Sequence, residues 1–587
     1  MDIGGGIVLK DCLEIFQKQL NEQASNNNED RMILGEYVPA DGDYLIVQRD
    51  GMIGKCSIKM DKKTRIPETE WEGNQYENLC FFDYHSRLVS MDKPQDPKKI
   101  IHSNNYMSFW VKWDSMENGK CDELAIDRYF NILKNPEEKY KKSKDREMYE
   151  YIAKQIGDID QEQLEKNRMW IKNHLFELDK FVDGLNKKNY LKIFFEADPE
   201  CYIKEEKRYL ITKIYNKNDY NIEFNNQIYG LPNDNLGLNS KKPYMENKTR
   251  KITVPYLIDP MEAVLQRKFF DYLMNQANLG RTNIFFDYDT GEIIPLKKGE
   301  LIEGEFSGFF LQIKKGKEIE IHHQDTIVDY KYNLSKKFFF ENVLDIRDEE
   351  ELYKEYRNKE QMQALIDGII FSKWLIGNYF IPESDISADG ELKRNLLLSR
   401  NVIFAWIYKG QEENVGQILN RVCRNMIRDS LQKGYWKKSR RQFNFMCSLE
   451  KYFGGNSMAD KYQEIRGKLR TKINENQENV LDSDREYFYA VGQLTYYFIS
   501  LSQSKELKHS LANPVFNATN TKVISQKLQQ FFMKYNYTLN IGNKKFNRLY
   551  AMVSGYEVEE KICQQDIIAG YLSNNLLYES NERKEEV

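Results

Sequence analysis

Apolar positions at the start of the chain fall at Val8, Leu9, Cys12, Leu13, Phe16 and Leu20, a spacing that predicts one short amphipathic helix. The pattern then shortens to strand period. "DYLIVQRDGMIGKCSIKM" (43–60) reads as a β-hairpin with an Asp50-Gly51 type I′ turn, and "NLCFFDYH" (78–85) and "YMSFWVKW" (106–113) read as further strands. From Asp122 to Leu185 helical spacing returns, as in "DELAIDRYFNIL" and "RMWIKNHLFELDKFVDGL". "YLKIFFEA" (190–197) and "RYLITKIY" (208–215) are strand candidates, and "PMEAVLQRKFFDYLMNQA" (260–277) is a helix. "NIFFDYDTGEII" and "FSGFFLQIKKGKEIEIHH" close this half as strands, the second a hairpin turning at Lys315-Gly316.

Past about residue 345 the strand signals fade. Eight helical stretches follow one another, from "EELYKEYRNKEQMQALIDGIIFSKWLI" (350–376) to "KKFNRLYAMVSGY" (544–556), with short polar or Gly breaks between them. The expected fold class is therefore an α+β N-terminal half of mixed strands and helices, residues 1–345, followed by an all-α C-terminal helical bundle, residues 346–575. Residues 576–587 read as a polar tail. At 587 residues the chain exceeds one hydrophobic core, in keeping with that division.

Composition narrows the classes. Hydrophobic residues at 41% with charged residues at 30% suit a folded chain rather than a disordered one. The N-terminus lacks a basic region followed by an apolar core, so no secretory signal is expected. Apolar runs such as "YYFI" (496–499) fall short of the roughly 20 residues that span a bilayer. A cytoplasmic location without membrane contact is the expectation. The eight cysteines include no C-x-x-C pair and no histidine at zinc spacing, so reduced, mostly buried thiols are expected.

Catalytic signatures are scarce. No phosphate-binding loop is present, and the glycines at 4–6 follow no strand. "DYDTGE" (287–292) departs from a calcium loop at its sixth and twelfth positions, Glu292 and Lys298, and reads as a hairpin turn. His322 and His323 adjoin on a strand, so their side chains take opposite faces. One arrangement supports an alternative reading: Asp198, Glu205 and Lys207 form the D…E-x-K set of a metal-dependent nuclease, though the spacing leaves little room for them to converge. Otherwise no catalytic residue, metal or cofactor is expected.

Charge clustering says more. The net charge is −4, yet two segments are strongly basic. In 241–251, Lys241, Lys242, Lys248, Arg250 and Lys251 face one acid, Glu246, within a loop rich in Gly and Asn, the residue types that offer backbone and amide donors to phosphates and base edges. In 421–441 eight basic residues face one acid, Asp429. At 100° per residue Arg421, Arg424 and Arg428 share one helix face, away from the stripe of Val415, Leu419, Val422 and Met426. Lys437, Lys438, Arg440 and Arg441 follow beside Tyr435 and Trp436, a mixture of cations and aromatics suited to a nucleic-acid backbone.

"YGLPNDNLGLNSKKPYMENKTRKITVPYLIDPMEAVLQRKFFDYLMNQ" (229–276) resembles the signature region of the Csh-type large subunit of the type I-B CRISPR surveillance complex, Cascade. "YFYAVGQLTYYFISLSQSKELKHSLANPVFNATN" (487–520) and "FFMKYNYTLNIGNKKFNRLYAMV" (531–553) are similar to the C-terminal helical region of the same family. The resemblance implies a non-catalytic subunit of an antiviral ribonucleoprotein. Its α+β domain would sit by the 5′ handle of the guide CRISPR RNA and read the protospacer-adjacent motif on double-stranded target DNA. Its helical domain would lie along the heteroduplex and displaced strand of the R-loop. A division in which base pairing reads the long sequence and protein reads a short motif is physically economical. The implied partners are the backbone, handle-binding and small subunits, with a helicase-nuclease recruited after target binding. Asn233, Asn235, Asn239, Ser240, Lys241, Lys242, Tyr244, Lys248, Arg250 and Lys251 match the family's signature loop and are the implied RNA- or DNA-contacting set. The family also implies a second product from an internal start, for which Met426, Met446 and Met458 are candidates and Met458, between two helical stretches, is favoured.

Overall fold

The computed structural model describes residues 5–24, 31–61, 63, 66–232, 257–316, 318–346, 350–455, 457–475, 479–504, 507–540 and 542–579. By internal contacts the chain forms two units. Residues 1–298 and 308–326 make the first, and residues 299–307 and 327–587 the second.

The first unit is built on a five-stranded sheet. Its order is Pro67–Glu68, Ile53–Met60, Gly42–Val47, Tyr190–Phe195, Ser108–Lys112. All neighbours are antiparallel except Gly42–Val47 and Tyr190–Phe195, which run parallel with Gly42 opposite Tyr190. Alternation divides the strand residues between two covered faces. On one, Phe109 stacks on Phe130 of the helix Glu123–Lys134, with centroids 6.5 Å apart. On the other, Phe194 stacks on Phe82 of the helix Asn74–Ser86 at 6.2 Å. Burial on both faces explains why the central Gly42–Val47 and Tyr190–Phe195 and the neighbouring Ser108–Lys112 read as largely apolar runs.

The same unit holds strands Arg281–Asp287 and Ile293–Lys297 and the hairpin arms Glu305–Lys315 and Ile319–Lys331, of which residues 308–326 belong to this unit. The helices Gly5–Ala24 and Pro260–Asn278 pack here, with Phe16 edge-on to Phe269 at 5.4 Å and Phe269 against Phe286 at 6.0 Å. Asp259 caps the second helix by accepting from the N–H of Met261 and Glu262.

Three local expectations are corrected. "NLCFFDYH" lies within the helix Asn74–Ser86, not a strand, because its aromatic and polar groups are buried on several sides and carry no single-face stripe. "RYLITKIY" overlaps the end of the helix Pro199–Lys213: its β-prone letters follow a helix already started upstream at Asp198-Pro199. The Asp50-Gly51 turn is not type I′, which needs positive φ at both residues. Only Gly51 has it, at 87°, and the wider turn closes by Gly51 N–H donating to Gln48 O at 3.0 Å.

The second unit begins with a ribbon of Asn333–Phe339 and Glu355–Asn358, so the stretch read as one helix from 350 contains a strand before the helix Lys359–Ile369 starts. Phe338 and Phe340 seat the ribbon on Phe445 at 5.6 and 5.5 Å. Helices Gly390–Lys409, Val415–Gln432, Trp436–Tyr452, Met458–Asn474, Asp484–Ser500, Thr521–Tyr535 and Lys544–Ser554 follow, where helical spacing places them. Polar caps start several: Asp389 accepts from Leu392 N–H, Ser483 from Glu486 N–H and Asn520 from Val523 N–H. A further helix not foreseen, Gln564–Leu572, crosses Asp484–Ser500 with Gly492 and Gly570 at the crossing. The chain thus has an α/β N-terminal half with mixed sheets and a helical C-terminal region. Among the described residues no helix is long and apolar enough to cross a membrane.

Candidate nucleic-acid interface

The helix Val415–Gln432 separates apolar from basic positions as its spacing requires. Leu419, Val422, Cys423, Met426 and Ile427 are buried in the second unit, while Arg421 and Arg424 are exposed and Arg428 is half-buried. The three guanidiniums are not equivalent. Arg421 makes no hydrogen bond or ion pair with any described residue. Arg424 donates to Gln565 Oε1 at 3.3 Å and pairs with Glu450 at 3.7 Å. Arg428 donates to Gln564 Oε1 at 2.6 Å. Partial burial, with Arg424 beside it, lowers the Arg428 pKa from its usual value. Glu450 is itself held by the amides of Gln565, at 2.8 Å, and Asn420. This latch ties the basic helix to the first turn of Gln564–Leu572.

The following basic residues divide in the same way. Lys437 is exposed on the helix Trp436–Tyr452. Lys438 donates to Ser372 Oγ at 2.6 Å, and burial pulls its pKa down. Arg440 donates to the Leu344 carbonyl at 3.1 Å and to Asn574 Oδ1 at 3.2 Å, and is likewise lowered by burial. Arg441 is half-buried. Lys433 bridges Asp429 at 2.7 Å and Asp389 at 2.8 Å. Trp436, expected as a stacking platform, is committed to an internal cluster: it stacks on His509 at 5.0 Å and tilts against Tyr496 at 5.1 Å. Tyr435 is the exposed ring, 55% accessible. The arrangement therefore offers Arg421 and Tyr435 to a backbone, with Lys437 exposed beside them.

The signature-loop set, Asn233, Asn235, Asn239, Ser240, Lys241, Lys242, Tyr244, Lys248, Arg250 and Lys251, lies outside the described residues. Its flanks are anchored in the first unit, where Gly230 and Ile258 exchange backbone hydrogen bonds at 2.9 and 3.0 Å. Tyr215 OH donates across the same closure to the Ile258 carbonyl at 2.9 Å.

The nuclease set is not brought together. Asp198 precedes the first turn of Pro199–Lys213 and pairs with Arg49 at 2.6 Å, in solvent. Glu205 lies seven residues along the helix, about 10 Å by its rise, buried against Arg208 at 3.0 Å. Lys207 is exposed. Among the described residues no three His, Cys, Asp or Glu side chains gather as a metal site. His322 and His323 each meet a carboxylate on their own strand, Glu320 at 3.1 Å and Asp325 at 3.5 Å.

One basic locus escaped the sequence analysis. A groove in the first unit is lined by lysines from 93–99, 139–142 and 213–217. Each run also carries acids nearby, so no window stands out by net charge. Only the fold gathers them.

No family model, curated protein or solved structure matches this chain.

Proposed function

We propose that this chain is the non-catalytic large subunit of a type I-B CRISPR RNA-guided surveillance complex. In this reading it binds the protospacer-adjacent motif of double-stranded target DNA, supports R-loop formation and recruits a helicase-nuclease in antiviral defence. Guide RNA and the backbone, handle-binding and small subunits are its partners.

The resemblance of residues 229–276, 487–520 and 531–553 supplies the family. The structural observation that carries the reading furthest is the helix Val415–Gln432, which turns an unpaired Arg421 to solvent opposite a buried apolar stripe. Exposed arginine on a rigid helix positions a protein on phosphates without reading sequence. The separation of Asp198 from Glu205 favours this reading over the metal-dependent nuclease.

The test is to tag the protein in its own cell, purify it gently and sequence the RNA that accompanies it. Short RNAs of uniform length with a common repeat-derived 5′ end are expected, together with other subunits. A monomeric protein without RNA overturns the proposal, as does magnesium-dependent cleavage lost on changing Glu205. Met458 opens the helix Met458–Asn474, and a separate C-terminal product beginning there is part of the same proposal. It predicts a ribosome-binding site before codon 458, and the short product should vanish when that site is silently recoded.

A further inference from the structure

The groove in the first unit is an open cavity of about 1130 Å³, bounded by residues 92–99, the helix Glu123–Lys134, residues 138–145 and residues 212–219. Eight lysine and arginine side chains line it against five carboxylates. Most of these charges are engaged within the fold. Arg128 donates to the buried carboxylate of Asp96 at 2.8 Å, and Lys99 reaches Asp92 at 3.2 Å. Lys93 donates to the carbonyls of Lys213, at 2.8 Å, and Tyr215. Lys139 donates to the Pro94 carbonyl at 2.5 Å, the Gln95 carbonyl at 2.7 Å and Gln95 Oε1 at 2.8 Å. Asp127 is taken by Arg168, at 2.7 Å, and Lys172, outside the groove.

Lys142 pairs with Asp219 at 3.8 Å, which leaves three cations. The ammonium groups of Lys141, Lys213 and Lys217 make no hydrogen bond or ion pair with a described residue. Lys141 and Lys217 are exposed, but Lys213 is largely enclosed, its Nζ 4.7 Å from the centroid of the Tyr140 ring. An ammonium taken from water without an acceptor is costly, and burial duly lowers its pKa. A fold that keeps such a group at a cavity wall leaves a place for an anion.

We propose that this groove binds a polyphosphate-bearing ligand of nucleotide size, with Lys213 as its most enclosed cation and Lys141 and Lys217 at the rim. The volume suits a small-molecule site. Three uncommitted charges around one cavity match a clustered polyphosphate, whereas a nucleic-acid strand calls for cations spaced along a track. The proposal is independent of the nucleic-acid reading of the second unit.

Calorimetry on the full-length protein tests it, with pyrophosphate, ATP, AMP and a short DNA single strand as probes. Pyrophosphate and ATP should bind, ATP more tightly than AMP. Lys213→Met should weaken both by about tenfold or more, as expected for loss of a charge-assisted hydrogen bond, without lowering Tm. Because the fold of that variant is at issue, the surface pair Lys141→Ala with Lys217→Ala provides a second arm, and it too should weaken binding. The proposal fails if neither pyrophosphate nor ATP binds at millimolar concentration, if both variants bind as the wild type does, or if only the DNA strand depends on these lysines.

Discussion

An arginine that ends in solvent has its whole guanidinium available to a phosphate, whereas one held by a glutamate and an amide must first release them. Arg421→Ala should therefore reduce the slope of log affinity against log salt by about one and leave Tm unchanged. Arg428→Ala removes the 2.6 Å bond to Gln564 and should lower stability by about 1 kcal/mol, with a smaller effect on nucleic-acid affinity. Salt titrations of binding, paired with thermal melts, separate the two; equal effects of both variants on the salt slope would undo the distinction. The stripe itself was legible, since helical spacing alone places Arg421, Arg424 and Arg428 on one face. Their commitments were not, because Glu450 and Gln564 approach from remote sequence. A second residue carries a pH dependence. Burial, with Lys213 nearby, pushes the Lys139 amine down to about 6, far below its value in an unfolded chain. Between those two values the unfolded chain binds the extra proton, so the Lys139 contribution makes stability rise with pH, by up to about 1.4 kcal/mol per unit. Urea unfolding at pH 7, 8 and 9 should show that rise in the wild type and a flatter profile in Lys139→Met. Parallel profiles would mean that the three acceptors around Nζ keep it charged throughout.

At the scale of elements, what the sequence reveals depends on how each helix is buried. Val415–Gln432 and Thr521–Tyr535 have one apolar face and are readable by spacing. Asn74–Ser86 and Gln564–Leu572 are buried through most of their length, so no stripe marks them, and the first passes for a strand while the second is overlooked. The overlooked helix is held by a close crossing. A Cβ added at Gly492 would lie 2.1 Å from the Ile567 carbonyl oxygen, and one added at Gly570 would lie 2.0 Å from that of Tyr489. Both obstructions are backbone, so the helices themselves must separate. Gly492→Ala and Gly570→Ala should each cost about 3 kcal/mol or more, at or above the usual range for overpacking. Gly368, in the helix Lys359–Ile369, meets nothing within 4 Å, so Gly368→Ala should instead stabilise by about 0.5–1 kcal/mol. Denaturant unfolding of the three variants checks the contrast, and a neutral Gly570→Ala would contradict the crossing.

At the scale of the whole molecule, the chain passes between its two units three times, after residues 298, 307 and 326. Strand and helix signals along the sequence do give the α/β half and the helical region in order, but a spacing pattern cannot say which unit a hairpin serves. Here the hairpin's tip completes the first unit: Phe309, Phe310 and Leu311 pair antiparallel with Phe286, Phe285 and Ile284. The segment before it completes the second, where Gly299 O accepts from Gln363 Nε2 at 3.0 Å and Gly304 O from Tyr332 N–H at 2.8 Å. No single cut preserves both. A fragment of residues 1–298 keeps Ile293–Lys297 beside Arg281–Asp287 but loses its other partner and bares an apolar strand edge, which invites pairing with other chains. Extending it to residue 326 restores that edge. The longer fragment should be soluble and should protect the amides of 284–286 from hydrogen exchange, while the shorter one aggregates. Residues 327–587 alone, lacking 299–307, should unfold at lower denaturant than residues 299–587. If 1–298 proves as soluble and as protected as 1–326, the hairpin tip is dispensable to the first unit and the threefold passage carries no structural weight.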